Sequence, residues 1–392
     1  MKIFSIATMM FALSIASYAQ QSLSRGAQII SPEIHENKSV TFRLNAPNAS
    51  TVTVSGNFLT GEGMGSPSTD MKKGNDGIWT YTTNPLSPEL YTYSFSVDGL
   101  RISDPNNPHA IRDVANLANI FIIGGDSYAD LYKVNDVPHG TVSYPWYDSP
   151  GNGKKRRVAI YTPPGYENNN DKYPVLYLMH GIGGDEEAWM GLGRASQILD
   201  NMIAQRKAKP MIVVMTNGNV TQDAAPGQGK DGFVRPNFML PNTMDGKFEE
   251  TFIDIMKFVE SNYRTKATKD NRALAGLSMG GYHTCYISRY YPDTFDYMGL
   301  FSPAMNNKPE DYPTSPAYQN LEVNLKRQMD NGYKLYWIAV GKNDVGILVQ
   351  GIQELRAKMD GIGMKYEYKE TEGGHTWNNW RRYLVDFIQK IF

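Results

Sequence analysis

Residues 274–281 read LAGLSMGG and place Ser278 in the pattern Gly-x-Ser-x-Gly, between Gly276 and Gly280. The pattern alone is common, so its context decides between a nucleophile and an ordinary serine in a glycine-rich loop. The residues before it, RALAGL, are typical of a strand, and those after it, GYHTCYISRYY, are typical of a helix. A sharp strand-to-helix turn exposes a serine as a nucleophile, and small residues let the helix pass close to the strand. We therefore predict that Ser278 is a nucleophile.

A serine nucleophile needs a general base, and the chain has 6 histidines. With a nucleophile of this kind, the acid and then the histidine follow the serine along the chain, which leaves His283 and His375. His283 lies on the helix that begins at the nucleophile, so it should point away or pack. His375 lies in EGGHTWNNW, a loop between the last predicted strand and the last helix, where an imidazole can reach over the sheet edge. We predict His375 as the general base and, later, the general acid.

The third residue is an acid that holds the imidazole in one tautomer and stabilises its positive charge. Asp344 follows the strand-like run KLYWIAVG, so it lies at the carboxyl end of a strand, where ligand-facing loops lie. We predict Asp344 as this acid; its alternative role is a helix N-cap. Other acids between the serine and the histidine do not follow so clear a strand: Asp293, Asp296, Asp311 and Glu372.

An acyl-enzyme mechanism also needs backbone N–H groups that stabilise an oxyanion. The run LYLM is followed by HGIGGDEEAW, a glycine-rich turn that can direct the N–H of Ile182 at the nucleophile. Met279, directly after Ser278, supplies the second predicted N–H. We expect His180 to be buried and hydrogen-bonded, supporting this loop. The sequence has no C-x-x-C or H-E-x-x-H, and no G-x-G-x-x-G follows a strand, so we expect neither a metal nor a cofactor.

The net charge and the apolar segments of the chain exclude some classes of partner. The 392 residues have a formal net charge of -1, which argues against a nucleic-acid partner. The start, MKIFSIATMMFALSIASYAQ, has the basic, apolar and small-residue regions of a secretory signal peptide over residues 1–19. No later stretch is typical of a membrane span, so we expect a secreted or periplasmic protein without a membrane partner. Cys285 is the only cysteine, so no intrachain disulfide forms.

The residue pattern divides the chain into three successive regions after the predicted signal peptide. Residues 20–125 contain short runs such as SVTFRLNAP and LYTYSFSVDG, which predict a small all-β sandwich. Residues 126–145 are rich in Gly, Pro, Asp and Ser and predict a linker or a surface hairpin. In residues 146–392, strands alternate with helices, which predicts an α/β domain with a parallel sheet between helices.

The motifs LYLMHGIGGDEEAW, LAGLSMGGYHT, YPDTFDYMGLFSPA, GKNDV and GGHTWNNWRRYL together resemble the esterase D and feruloyl esterase group of α/β-hydrolases. The resemblance covers about residues 140–392. It implies an α/β-hydrolase fold, the catalytic residues Ser278, Asp344 and His375, and oxyanion donors at Ile182 and Met279. VTFRLNAPNASTVTVSGNF is similar to the immunoglobulin-like early-set domains that precede such esterases.

The resemblance implies a serine carboxylic ester hydrolase that releases ferulate from feruloylated arabinoxylan or its oligosaccharides. Acetylxylan, siderophore and short-chain acyl esterases stay open as alternatives, as does a glycan-binding protein on a hydrolase scaffold. The aromatic side chains that we predict to bind the substrate are Trp189, Phe233, Phe238 and Trp377. We expect Trp380 and the early-set aromatics to be core residues, the latter being Trp79, Tyr91 and Tyr93. We also expect residues 141–392 to fold alone.

Overall fold

The computed structural model describes residues 29–59, 67–230, 232–307 and 309–392. The predicted signal peptide, residues 1–19, lies outside these described residues. Within them, no helix is both long enough and apolar enough to cross a membrane.

The N-terminal part is a sandwich of antiparallel strands, as predicted. Its strands are β1 (Glu33–Ile34), β2 (Val40–Asn45), β3 (Val52–Gly56), β4 (Ser68–Asp70), β5 (Lys72–Lys73), β6 (Ile78–Thr82), β7 (Glu89–Val97), β8 (Leu100–Ile102), β9 (Ala110–Asp113) and β10 (Asn116–Ile123). One sheet has the order β1-β2-β6-β5; the other has the order β4-β3-β7-β10-β9, with β8 paired to β7. Trp79, Tyr91 and Tyr93 are buried in the core between the sheets, which confirms their predicted packing.

The C-terminal part is built on a sheet of alternating strands and helices. Its elements are β11 (Thr141–Ser143), β12 (Trp146–Ser149), β13 (Lys154–Arg157), β14 (Ala159–Thr162), β15 (Val175–Met179), α1 (Ala188–Gly191), α2 (Ala195–Ala204), β16 (Ile212–Thr216), α3 (Lys247–Asn262), β17 (Arg272–Leu277), α4 (Met279–Tyr290), β18 (Tyr297–Phe301), α5 (Leu321–Asp330), β19 (Leu335–Gly341), α6 (Gly346–Gly361), β20 (Glu367–Thr371) and α7 (Trp377–Ile388).

The main sheet has 8 strands in the order β11-β14-β16-β15-β17-β18-β19-β20, and β12 and β13 form a separate hairpin. Strands β15 to β20 are all parallel to one another, whereas β11 and β14 pair antiparallel at one edge. Apolar side chains on both faces of the sheet pack against helices in two cores. This is the α/β-hydrolase fold that the sequence predicted.

Amphipathic helices cover the two faces of this sheet. Helix α3 buries an apolar stripe that includes Phe248, Phe252, Ile255, Met256 and Val259. On α7, the buried residues include Trp380, Leu384, Phe387 and Ile388. Helix α4 buries Cys285. The buried apolar side chains of these helices recur at helical spacing, so each helix turns one apolar face to the sheet.

The prediction of a linker over 126–145 is wrong for two stretches. Ala129–Tyr132 forms a short 3-10 helix whose Leu131 and Tyr132 are buried in the core of the C-terminal part. Strand β11 pairs with β14, with Thr141 opposite Thr162. This segment was predicted as a linker because turn-forming residues dominate its composition. Its few apolar side chains are nevertheless sufficient to pack it against the C-terminal part.

Candidate active site

The residues that the sequence predicted as catalytic lie in loops at one edge of the main sheet. Met179 pairs with Gly276 across β15 and β17, and Leu277 pairs with Phe301 across β17 and β18. The carboxyl ends of these parallel strands therefore lie side by side. The loops after β15, β17, β19 and β20 begin at this edge, and they contain His180, Ser278, Asp344 and His375, respectively. Such an edge is where α/β proteins bind their ligands.

Ser278 occupies the sharp turn between β17 and α4. Its backbone has φ 52 and ψ -113, a conformation that a residue with a side chain rarely adopts. The surrounding structure holds it there: the N–H of Ser278 donates to the carbonyl of Phe301 at 2.8 Å, and its carbonyl accepts from the N–H of Ala304 at 2.9 Å. Strain maintained in this way at a strand-to-helix turn is characteristic of a nucleophile elbow.

The two glycines of the motif are required by close backbone contacts. A Cβ on Gly276 would stand 2.5 Å from the carbonyl carbon of Gly280, and a Cβ on Gly280 would stand 2.5 Å from the carbonyl oxygen of Met179. Helix α4 therefore crosses β17 and β15 at a separation that leaves no room for side chains. The spacing of Gly276 and Gly280 around Ser278 follows from this packing.

The side chains of the three predicted catalytic residues form one hydrogen-bonded chain. Ser278 Oγ is 3.0 Å from His375 Nε2, and His375 Nδ1 is 2.8 Å from Asp344 Oδ1. With Nδ1–H donating to the carboxylate, Nε2 is free to accept the hydroxyl proton of the serine. The side chain of Asp344 is 0% exposed and that of His375 is 22% exposed, so the base faces solvent while the acid is enclosed. The geometry is that of a catalytic triad; the roles stay predictions.

Neither alternative residue takes part in this chain. The Nδ1 of His283 is 2.8 Å from Glu249 Oε1, and both side chains are completely buried behind the elbow, so His283 packs as expected. The carboxylate of Glu372 is 80% exposed and pairs with Lys342.

The predicted oxyanion loop lies against the nucleophile. A Cβ on Gly181 would stand 3.3 Å from Ser278 Cβ. The N–H of Gly184 donates to the carbonyl of Gly181 at 3.1 Å, which closes a turn with Ile182 and Gly183 at its centre. Gly183 has φ 78, which is the value of the third residue of a type II turn and favours glycine there.

The two predicted N–H donors therefore border Ser278 from different sides. Ile182 lies in the turn after β15, and Met279 is the first residue of α4, where helix N–H groups have no partner within the helix. The N-terminus of a helix also favours negative charge. An oxyanion that develops beside Ser278 would be stabilised there, although the roles of Ile182 and Met279 stay predictions.

His180 is buried and hydrogen-bonded beside the oxyanion loop, as expected. Its Nδ1 is 2.7 Å from the carbonyl oxygen of Gly181, and its Nε2 is 2.8 Å from the backbone nitrogen of Gly218. These partners require a neutral ring that donates from Nδ1 and accepts at Nε2. Burial lowers the pKa of His180 to about 4, because the charged form would be desolvated.

The predicted substrate-binding aromatics occupy different environments. The prediction for Trp189 is wrong, because the side chain is 1% exposed. Its Nε1 donates to the carbonyl of Met179 at 2.9 Å, and its ring packs edge-on against Trp377 with 5.2 Å between centroids. Trp189 follows the oxyanion loop in sequence, but α1 directs it under the sheet edge, where it is inaccessible to a ligand.

Trp377 is half-buried in the same tryptophan cluster. It packs against Trp380 with 5.3 Å between ring centroids, and Trp380 packs against the imidazole of His375 at 4.8 Å. Trp380 is buried as expected. Support for the His375 loop is therefore an alternative to the predicted ligand contact of Trp377.

Phe238 and Phe233 belong to the long loop between β16 and α3, and both are exposed. Phe238 reaches the oxyanion loop: a Cβ on Gly183 would stand 3.3 Å from Phe238 Cδ2. Phe233 is 97% exposed and packs beside Gly227. Of the two, Phe238 lies beside the predicted oxyanion turn.

One contact beside the candidate site was not predicted from the sequence. Arg112 of the N-terminal sandwich donates to Asp185, which follows the oxyanion turn. The three successive acids that begin at Asp185 predict nearby basic side chains. No local pattern indicates that one of these basic side chains belongs to a strand distant in sequence. Among the described residues, no group of three or more His, Cys, Asp or Glu side chains is arranged to hold a metal ion.

Two protein families match the chain. The putative esterase family matches residues 149–391, and carbohydrate-binding module 48, the isoamylase N-terminal domain, matches residues 26–108. An endo-1,4-beta-xylanase/feruloyl esterase of Xylanibacter ruminicola is 32% identical over 368 residues, which are 92% of this chain and 46% of that relative. The chain thus spans less than half the length of this relative.

Solved structures share the fold. A ferulic acid esterase of Anaeromyces mucronatus is 25% identical with a TM-score of 0.54, over 68% of this chain and 96% of that one. The enterobactin esterase of Shigella flexneri, 15% identical, has a TM-score of 0.62 over 90% of this chain and 92% of that one, and this likeness concerns the fold alone. With the family match over most of the C-terminal part and the serine, histidine and aspartate in contact, the chain belongs to the putative esterase family.

Proposed function

We propose that the protein is a serine carboxylic ester hydrolase that acts on plant cell-wall polysaccharide and releases ferulate from feruloylated arabinoxylan through an acyl-enzyme. The observation that carries the proposal is the hydrogen-bonded chain of Ser278, His375 and Asp344, with Ser278 on a strained turn.

In this mechanism His375 accepts the proton of Ser278 Oγ as the oxygen attacks the ester carbonyl. The negative charge that forms on the carbonyl oxygen is stabilised by the N–H groups of Ile182 and Met279. His375 then donates the proton to the departing sugar hydroxyl, which leaves a feruloyl ester on Ser278. Water, deprotonated by His375, hydrolyses this ester and restores the serine. Asp344 keeps the Nδ1–H tautomer of His375 and stabilises the imidazolium that forms twice per cycle.

The names of the relatives support the substrate class. The Xylanibacter relative is described as a xylanase/feruloyl esterase and the Anaeromyces structure as a ferulic acid esterase. An N-terminal part that matches carbohydrate-binding module 48 fits a polysaccharide substrate. The exposed ring of Phe238 beside the oxyanion turn offers a surface on which a planar hydroxycinnamoyl group could stack.

Export belongs to the same proposal. A polymer such as arabinoxylan is encountered outside the cytoplasm, and residues 1–19 have the pattern of a cleaved signal peptide. We propose a secreted or periplasmic enzyme. Amino-terminal sequencing of the mature protein should begin after Ala19, and a mature protein that retains Met1 would contradict export by this signal.

Purified protein should be assayed on methyl ferulate, feruloylated arabinoxylan oligosaccharide, acetylated xylan and a catecholate siderophore ester. The proposal predicts cleavage of both feruloyl substrates, with the oligosaccharide preferred. Rapid deacetylation of xylan without cleavage of methyl ferulate would identify an acetylxylan esterase. Preference for the siderophore would identify the third alternative. Binding of the oligosaccharide with no hydrolysis of any ester would identify a glycan-binding protein on a hydrolase scaffold.

A further inference from the structure

The β9–β10 hairpin of the N-terminal sandwich lies against the oxyanion turn. Arg112 Nη2 donates to Asp185 Oδ2 at 2.6 Å, and it lies 3.8 Å from Glu187 Oε2. At the tip of the hairpin, Val114 has φ 52, and its Cγ2 would stand 2.6 Å from a Cβ on Gly183. The N-terminal part therefore touches the same turn that contains Ile182.

Three successive carboxylates, Asp185, Glu186 and Glu187, follow this turn, and water reaches little of their surface. The side chains of Asp185 and Glu186 are 2% and 0% exposed, and that of Glu187 is 35% exposed. Burial, and then repulsion from Asp185, raise the pKa of Glu186. Arg157 pairs with Glu186 at 2.7 Å and also with Glu187. Arg112 is thus the cation that balances Asp185.

Asp185 also organises the local backbone. Its Oδ1 accepts from the N–H of Glu187 at 3.0 Å, and its carbonyl accepts from the N–H of Ala188 at 3.1 Å, at the start of α1. A buried carboxylate without its cation is strongly unfavourable. Without Arg112, we expect Asp185 to turn toward water and to displace the adjoining residues Gly181–Gly184.

We propose that Arg112 is a positioning residue for the oxyanion hole, which it holds in place through Asp185. The inference rests on the proposed function, because it assigns Ile182 to an oxyanion donor. The N-terminal part then contributes to the hydrolysis of every ester, including esters too small to touch it. A module that only bound polysaccharide would leave the hydrolysis of small esters unchanged when its contact with Asp185 is removed.

The experiment compares Arg112→Ala and Arg112→Lys with Arg43→Ala, using 4-nitrophenyl acetate. Arg43 is a matched control in the same sandwich: its ion pair with Glu33 is also 2.6 Å long, and its side chain is 28% exposed against 25% for Arg112. We expect Arg112→Ala to lower kcat about tenfold or more with KM changed less than about twofold, since a displaced oxyanion donor weakens only the transition state. Arg112→Lys keeps the charge and should restore most of kcat, whereas Arg43→Ala should match the parent.

Asp185→Asn tests the same contact from the other side, and it covers the case in which Arg112→Ala does not fold. Combined with Arg112→Ala, it should restore much of the kcat that Arg112→Ala loses, because no buried carboxylate is then left without its cation. Equal kcat values for Arg112→Ala and Arg43→Ala would overturn the proposal, as would losses that multiply in the double variant. A lysine variant as impaired as the alanine variant would also overturn it.

Hydrogen–deuterium exchange gives a readout that does not depend on activity. The amides of residues 181–187 should exchange faster in Arg112→Ala than in the parent, and at the parental rate in Arg43→Ala. Unchanged exchange in Arg112→Ala would overturn the proposal even in an active enzyme. A parent that hydrolyses no ester would refute the proposed function instead, and the exchange rates would still decide whether Arg112 holds the turn.

Discussion

Each residue of the hydrogen-bonded chain lies within four residues of the carboxyl end of a strand of the main sheet. Ser278 follows β17, Asp344 follows β19 and His375 follows β20. The sequence identified them because strand-like runs end in front of them, and because the backbone positions at the ends of neighbouring parallel strands are fixed relative to one another. Recognising the strands was therefore enough to predict that the three side chains lie close together.

Asp344→Asn should lower kcat by about two orders of magnitude or more, because the amide can hold His375 in the wrong tautomer. The measurement is kcat on a soluble feruloyl ester, with circular dichroism to verify folding. Glu372→Gln is the matched control, since this exposed carboxylate bonds Lys342 and should be dispensable. If the two effects were exchanged, the acid would be Glu372.

The neutral ring of His180 predicts a dependence of stability on pH. The folded-state pKa of about 4 lies below the ordinary value of 6.5, so the unfolded chain binds the proton more readily. The stability that His180 contributes is present above pH 6.5 and is lost as the pH falls toward 4, by up to about 3 kcal/mol. In His180→Gln, the side-chain oxygen can still accept from the N–H of Gly218 but does not titrate.

Thermal unfolding between pH 7 and 4 should therefore lose less stability in His180→Gln than in the parent. Parallel curves for the two proteins would show that another group causes the acid sensitivity.

The long loop between β16 and α3 carries two exposed phenylalanines in different places. Phe238 from this loop lies beside Gly183, whereas Phe233 points into solvent. Phe238→Ala should lower kcat/KM for feruloyl esters by about tenfold, while acetyl esters change much less, because only the aromatic acyl group is large enough to stack on the ring.

Phe233→Ala is the control from the same loop and should leave both ester classes unchanged. Equal losses on feruloyl and acetyl esters in Phe238→Ala would show that Phe238 supports the oxyanion turn and does not select the acyl group.

The elements that the sequence failed to predict have few buried apolar side chains. Helix α5 buries Leu325 and Gln328, which is too short a stripe to stand out from its polar neighbours. Strand β11 has no fully buried residue. Trp189 was assigned to the ligand because residue type does not reveal on which side of a short helix a ring lies. The orientation of α1 and the docking of the N-terminal part depend on contacts between residues distant in sequence.

The N-terminal and C-terminal parts of the molecule share a buried polar interface. Arg381 of α7 is 1% exposed, and its Nη2 donates to Glu89 Oε1 at 3.0 Å and to the carbonyl of Leu90 at 3.2 Å. Tyr132 packs against the same guanidinium. These contacts oppose the expectation that residues 141–392 fold alone, since removing Glu89 would leave a buried cation without its partner.

Glu89→Ala should lower the free energy of unfolding by about 3–5 kcal/mol, as expected when one partner of a buried ion pair is removed. Chemical denaturation measures the loss. Glu33→Ala removes the exposed partner of Arg43 in the same sandwich and should change the free energy of unfolding little. A free energy of unfolding of Glu89→Ala equal to that of the parent would restore the expectation of an autonomous C-terminal part.

The proposed function of the whole molecule depends on Ser278 acting as the nucleophile of an ester hydrolase. Its most direct test is the reaction of the mature protein with a serine-reactive phosphonate, followed by peptide mass spectrometry and an assay on methyl ferulate. We expect one adduct, on the peptide that contains Ser278, with feruloyl hydrolysis lost in proportion to labelling. We also expect Ser278→Ala to take up no label and to turn over at least about three orders of magnitude more slowly. An adduct on another residue, or near-parental turnover by folded Ser278→Ala, would contradict the claim.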